Sequence, residues 1–176
     1  MNLYQKNMTL RSVMLMLLTF AILAGGCKKK ESAADPCDGL LNETPPSIIM
    51  VKFVDKATGQ NLIVSDNIKS SDITVINNNT GKEFANWRIV SQGATSPFNG
   101  MLQFSVFHET AGQYPYQIKL AGFGRATLAY TVSKVATNNL CKPTAYPISN
   151  IMIIDHPFTA FTYDGKSYPN ILVVEL

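Results

Sequence analysis

Three cysteines, two histidines and a scatter of carboxylates are the residues of this chain that could do chemistry, and their spacing decides which chemistry is open to them. Cys27 stands where the apolar run from Val13 to Ala24 ends in Gly25-Gly26 and a basic, polar stretch begins. Ahead of it lie Lys6 and Arg11 and no acidic residue. A basic start, a short apolar run and small residues before the cut are the anatomy of a secretory signal. Cleavage before Cys27 and diacylation of its thiol are therefore expected, with an ordinary signal cleavage after Ala24-Gly25-Gly26 as the alternative. Roughly a dozen apolar residues are too few to cross a bilayer, which needs about 20. With Cys27 assigned to lipid, Cys37 and Cys141 remain as an even pair in an exported protein, and a disulfide between them is expected. It closes a loop of about 100 residues, for which chain entropy gives roughly 4 to 5 kcal/mol.

His108 beside Glu109 and His156 beside Asp155 carry side chains that suit zinc. No compact ligand spacing joins them, and neither Cys37 nor Cys141 sits in a Cys-x-x-Cys, so no metal and no other cofactor is expected. Gly-x-Ser-x-Gly, His-Glu-x-x-His and a phosphate-cradling glycine loop are all missing. No catalytic residue is assigned, and the chain is not expected to be an enzyme. A hydrolase built on scattered carboxylates would need two of Asp55, Asp66, Asp72, Glu83, Glu109, Asp155 and Asp164 to face one cleft at about 5 to 9.5 Å. Turn and cap duty explains most of these acids more simply. Planar rings are the better lead, because β-sandwiches often present them to carbohydrate or peptide. Trp87, Phe161, Tyr163 and Tyr168 are the ligand-binding candidates, with Tyr146 and Phe158 beside them. The plainer reading of Phe161 and Tyr163, at alternating positions, is core, and Trp87 could equally be a tryptophan between two sheets.

Charge narrows the partners. The chain of 176 residues has a formal net charge of +3, which falls to +1 once Lys6 and Arg11 leave with the signal. Without the stretch Lys28-Lys29-Lys30-Glu31-Ser32-Ala33-Ala34-Asp35-Pro36 the remainder is about neutral. Arg88 and Arg125 are far apart in sequence, so no basic face argues for nucleic acid. The polar stretch reads as a flexible tether, whose lysines could lean on anionic head groups. The expected partners are the membrane, through the lipid, and an envelope protein or a glycan. Three parts follow: a signal over 1–26, a lipidated cysteine and tether over 27–46, and one domain over 47–176.

The elements that must position these side chains are strands. β-Branched and aromatic runs bounded by Gly, Asn, Asp and Pro recur along the mature length, and none keeps helical periodicity for long enough to be a helix. Ile49, Val51 and Phe53 alternate with Met50 and Lys52. Ser71 to Ile76 is a second strand, and Phe84 to Val90 a third, followed by a Ser, Gly and Pro-rich loop ending at Asn99-Gly100. Leu102, Phe104 and Val106 share a face whose parity extends to His108. Tyr114 to Leu120 and Ala126 to Val135 follow. Ile148 to Ile154, with Ile151-Met152-Ile153-Ile154 apolar on both faces, and Ile171 to Glu175 are the later strands, and such doubly apolar runs are expected in the middle of a sandwich. In Phe161 to Tyr168, Asp164-Gly165 sets a two-residue turn, so that Tyr163 faces Lys166, Phe161 faces Tyr168 and Thr162 faces Ser167. About eight strands make an all-β fold, a single sandwich of immunoglobulin-like or transthyretin-like type.

Cys27-Lys28-Lys29-Lys30-Glu31 resembles a lipoprotein start of the Bacteroidota, where lysines and acids crowd the lipidated cysteine and are associated with export to the cell surface. Phe53-Val54-Asp55-Lys56-Ala57-Thr58-Gly59-Gln60-Asn61-Leu62 is similar to the opening strand and turn of β-sandwich domains in surface lipoproteins of that group, often described as carboxypeptidase-regulatory-like or transthyretin-like. The resemblance implies a lipid-anchored envelope protein, with the outer membrane as its seat and surface or periplasmic orientation open. It implies no catalytic residue. An accessory or interaction subunit is then the first functional expectation, a glycan-binding module the second, and a hydrolase the third.

Overall fold

The computed structural model describes Cys37, Asp38 and residues 45–176. Cys27, the expected signal and most of the expected tether lie outside the described residues. The chain divides into two compact units, Met1–Leu40 and Leu41–Leu176, and the second is an all-β sandwich. Its strands are β1 (Ser47–Val54), β2 (Ile73–Asn77), β3 (Lys82–Glu83), β4 (Trp87–Ile89), β5 (Leu102–Val106) and β6 (Gly112–Leu120). They continue with β7 (Gly124–Val132), β8 (Val135–Ala136), β9 (Thr144–Ala145), β10 (Ile148–Ile153), β11 (Phe158–Tyr163) and β12 (Lys166–Glu175). The first sheet has the order β11-β12-β1-β5-β4, the second β10-β7-β6-β2-β3, and β8-β9 form a separate ribbon. β1 pairs parallel with β12 and antiparallel with β5.

Alternation builds the core. Ile49, Val51 and Phe53 of β1, Leu102, Phe104 and Val106 of β5, and Leu172 and Val174 of β12 point inward from the first sheet. They meet Val75 of β2, Tyr116, Ile118 and Leu120 of β6, Leu128, Tyr130 and Val132 of β7, and Ile153 of β10 from the second. Facing apolar faces of two sheets about 10 Å apart are the arrangement by which a sandwich hides its strands from water. The described residues include no buried polar or charged side chain.

Among the described residues twelve strands stand where about eight are expected, because several are too short to read as runs. The expected strand Phe84 to Val90 is instead a crossing between sheets: β3 ends at Glu83 in the second sheet and β4 begins at Trp87 in the first. Phe84 sits between them, with its ring 6.4 Å from Phe104 and 4.8 Å from Tyr116. The run Ile148 to Ile154, expected in the middle of the sandwich, is an edge strand. Its register shifts between Ser149 and Met152, where Asn150 has φ 51. This bulge turns Ile148, Ile151 and Ile153 toward the same core despite their mixed parity. A four-residue helix, α1 (Leu62–Ser65), also breaks the all-strand expectation; Asn61 caps it by accepting from the Ile63 and Val64 N–H groups. Among the described residues, no helix is long and apolar enough to cross a membrane.

Candidate contact face

The hairpin of β11 and β12 has the register that Asp164-Gly165 sets: Phe161 opposite Tyr168, Thr162 opposite Ser167 and Tyr163 opposite Lys166. Asp164 and Gly165 have φ 50 and 71, the left-handed pair that a tight two-residue turn requires. Further along, the pairing shifts between Ala160 and Phe161, so that β12 carries Pro169, Asn170 and Ile171 as extra residues. Pro169 cannot donate to a ladder and suits such an irregularity. The Asn170 side chain fastens the bend by donating to the Ile48 carbonyl at 2.9 Å.

On the outer face of the first sheet this hairpin builds a second apolar cluster. Met101, Phe161 and Ile171 are its buried members, with Met50, Phe98, Tyr168 and Val173 packed around them. Phe98 comes from the Ser, Gly and Pro-rich loop, which folds over the sheet. Its ring lies 5.8 Å from Phe161, 6.3 Å from Tyr163 and 6.4 Å from Tyr168. The Lys52 ammonium stands 5.8 Å from the centre of the Phe161 ring, within reach of cation–π attraction.

The loop is held by polar bonds at its root. Asn61 Nδ2 donates to the carbonyls of Asn99 and Gly100 at 3.1 and 3.3 Å, so the residue that caps α1 also clamps the loop. The Gln92 N–H donates to Asn99 Oδ1, and Gly100 and Val90 exchange the loop into β5 through Gly100 N–H to Val90 carbonyl and Val90 N–H to Met101 carbonyl. Beside Phe98 a shallow depression of about 360 Å³ is lined by Lys52, Gln60, Asn61, Ser96 and Asn99, among others.

Of the four ring candidates, Phe161, Tyr163 and Tyr168 come together and Trp87 does not. Trp87 lies on β4, at the opposite edge of the same sheet, and packs half-buried against the main core beside Phe104. Four strand spacings, about 19 Å, separate the two edges. Phe161 is only 8% exposed and acts as core to the outer cluster, whereas Tyr163 is 49% exposed. The rings meet at interplanar angles of 43 to 86°, so they pack against one another rather than form one flat platform. Phe98 is the member that sequence reasoning missed; an aromatic inside a loop of small residues was its only signal.

Tyr146 lines a separate cleft of about 240 Å³ with Val106, Phe107, His108, Lys142 and Ile148. His108 Nε2 shares a 2.7 Å hydrogen bond with the Tyr130 hydroxyl, and its ring centre lies 3.8 Å from that of Tyr114, tilted by 38°. Burial lowers the His108 pKa, since the imidazolium would lose water. The same loss of water pushes the Tyr130 hydroxyl well up, helped by its bond to Tyr116. His156 donates instead to the Arg125 carbonyl at 2.8 Å. Arg125 and Tyr130 are five residues apart on β7, about 17 Å of extended strand, so the two histidines serve different places.

The carboxylates are similarly dispersed. Asp55 accepts from Thr58 Oγ1 and from the Thr58 and Ala57 N–H groups, which together hold its pKa low. Asp72 accepts from the Lys69 N–H at the start of a short 3-10 turn. For Asp155 burial pulls the pKa up, but bonds from the Thr127 N–H and Oγ1 outweigh it, and the net shift is down. Cys37 and Cys141 are disulfide-bonded, as expected of an even pair in an exported chain. Comparison with protein-family models, with curated proteins and with solved structures finds no match to this chain.

Proposed function

We propose that the protein is a lipid-anchored, non-catalytic β-sandwich of the cell envelope that acts by contact, as an accessory or interaction subunit. The lipid anchor rests on the sequence around Cys27, and the Cys37–Cys141 disulfide fits an oxidising compartment outside the cytosol. The observation that carries the contact reading is the second apolar cluster. A two-sheet sandwich needs apolar residues only on its inner faces, yet the outer face of the first sheet gathers Phe98, Phe161, Tyr163 and Tyr168. The outer face of the second sheet carries Thr74, Lys119, Thr127 and Thr131 across β2, β6 and β7, and its exposed Met152 and Ile154 lie at the β10 edge, with no aromatic ring beside them among the described residues. An aromatic patch with a polar rim is where interfaces concentrate their binding energy.

A glycan is the second reading, favoured by the amide and hydroxyl groups of Gln60, Asn61, Ser96 and Asn99 in the depression beside Phe98 and by the exposure of Tyr163. The experiment is a pull-down of the tagged, lipidated protein from gently solubilised native envelopes, with Tyr163→Asp beside the wild type. A stoichiometric envelope protein lost with Tyr163→Asp supports the accessory role, and glycan lost in the same way supports the binding module. Partners retained unchanged by Tyr163→Asp would place contact elsewhere and overturn the assignment of this face.

A further inference from the structure

A sheet edge exposes unpaired N–H and C=O groups, and proteins usually blunt it with short strands, charges, prolines or bulges. The two sheets of this sandwich have four edges among the described residues, and three of them are blunted. β3 has two residues, both charged. β4 has three, with Arg88 at its centre. β10 is interrupted by the bulge at Asn150. β11 is the exception: six residues, Phe158–Tyr163, with no charge and no proline, paired with β12 on one side only, and the register shift in that pair puts its extra residues, Pro169 to Ile171, on β12 and leaves β11 continuous. Every one of them except Phe161 is exposed. Phenylalanine, threonine and tyrosine are strong strand formers, and in an antiparallel pair half of the strand's backbone groups point away from the partner. An uncharged run of this kind is a template for another strand.

We propose that β11 pairs with β11 of a second copy of this chain, antiparallel, joining two first sheets into one continuous sheet across a two-fold axis. The occupant follows from the strand's own chemistry. With no charge on it, an identical strand brings no like-charge repulsion, and aromatic and threonine side chains make favourable cross-strand pairs with one another. A two-fold axis normal to the sheet keeps both outer faces on the same side. Tyr163, 49% exposed in one chain, would then lie beside the aromatic cluster of the other, and Phe158, 39% exposed, would be covered from its open flank. This inference goes beyond the contact reading and does not depend on it.

Sedimentation equilibrium of the full chain in a density-matched neutral detergent is the test. The expected result is a reversible monomer–dimer equilibrium. The double variant Thr159→Lys/Thr162→Lys, which sets one like charge on each face of the strand, should weaken the dimer by about 100-fold or more. Thr131→Lys, on the second sheet, should leave it unchanged, and all three proteins should share one far-UV spectrum. Hydrogen exchange of the wild type supplies a readout without substitution: the β11 amides turned away from β12 should exchange faster on dilution. A dimer that survives the double variant, a monomer at every concentration, or β11 protection independent of concentration would each overturn the proposal.

Discussion

At Gly100, backbone geometry holds a whole loop. Its φ is 72, and a methyl group in place of its hydrogen would stand 2.4 Å from Val64 Cγ2 and 3.0 Å from Asn61 Nδ2. Asn61 can clamp the loop only because nothing intervenes. Gly100→Ala should therefore lower stability by about 2 kcal/mol, combining left-handed strain with the clash. Gly93→Ala, in the same loop but with open space around it, should change stability by less than about 0.5 kcal/mol. Urea unfolding of the two variants compares them directly. His108 makes a second prediction at this scale. Its folded pKa lies below the unfolded value because burial disfavours the imidazolium. The unfolded chain therefore takes up the proton first, and stability falls as pH drops below about 6.5. The groups around the imidazole are the Tyr114 and Tyr130 rings, the neighbouring Glu109 and, in the same cleft, Lys142. His108→Gln should flatten the stability profile below about pH 6.5; an unchanged slope would assign it to another group.

At the level of elements, the outer cluster depends on one loop meeting one hairpin. Phe98 touches three rings of the hairpin, so Phe98→Ala should cost about 2 kcal/mol. It should also make the amides of the hairpin exchange faster while those of β6 and β7 stay protected. Equal loss of protection in both sheets would mean that the cluster is not a separate unit. The hairpin was legible in the sequence because Asp164-Gly165 leaves little choice of turn, and local chemistry fixed its register. Alternation likewise announced the inner faces of β1, β5 and β6. What could not be read was whatever depended on contacts distant in sequence. Phe84 to Val90 looked like one strand because its residues suit either sheet, and only the packing of Phe84 between Phe104 and Tyr116 explains the crossing. Ile148 to Ile154 looked central because a bulge hides parity. Phe161, Tyr163 and Tyr168 were visible as neighbours, but Phe98 joins them from more than 60 positions away through a loop of no regular pattern.

At the scale of the molecule, a sandwich with one core between its sheets carries a second cluster outside them, on the sheet whose edge is unguarded. The covalent closure adds to its stability. Replacing Cys37 and Cys141 together by serine should lower unfolding free energy by about 2 to 5 kcal/mol, and reductant should bring the wild type to the same midpoint. An unfolding midpoint indifferent to reductant would show that the disulfide contributes nothing beyond connectivity. The contact role of the outer face is the central claim, and site-specific photo-cross-linking in native envelopes tests it most directly. A photoreactive phenylalanine analogue would replace Tyr163 in one variant and Met152, exposed on the other sheet, in a second. The account predicts a discrete adduct from position 163 and none from position 152. Adducts of equal yield from both positions, or from 152 alone, would contradict it.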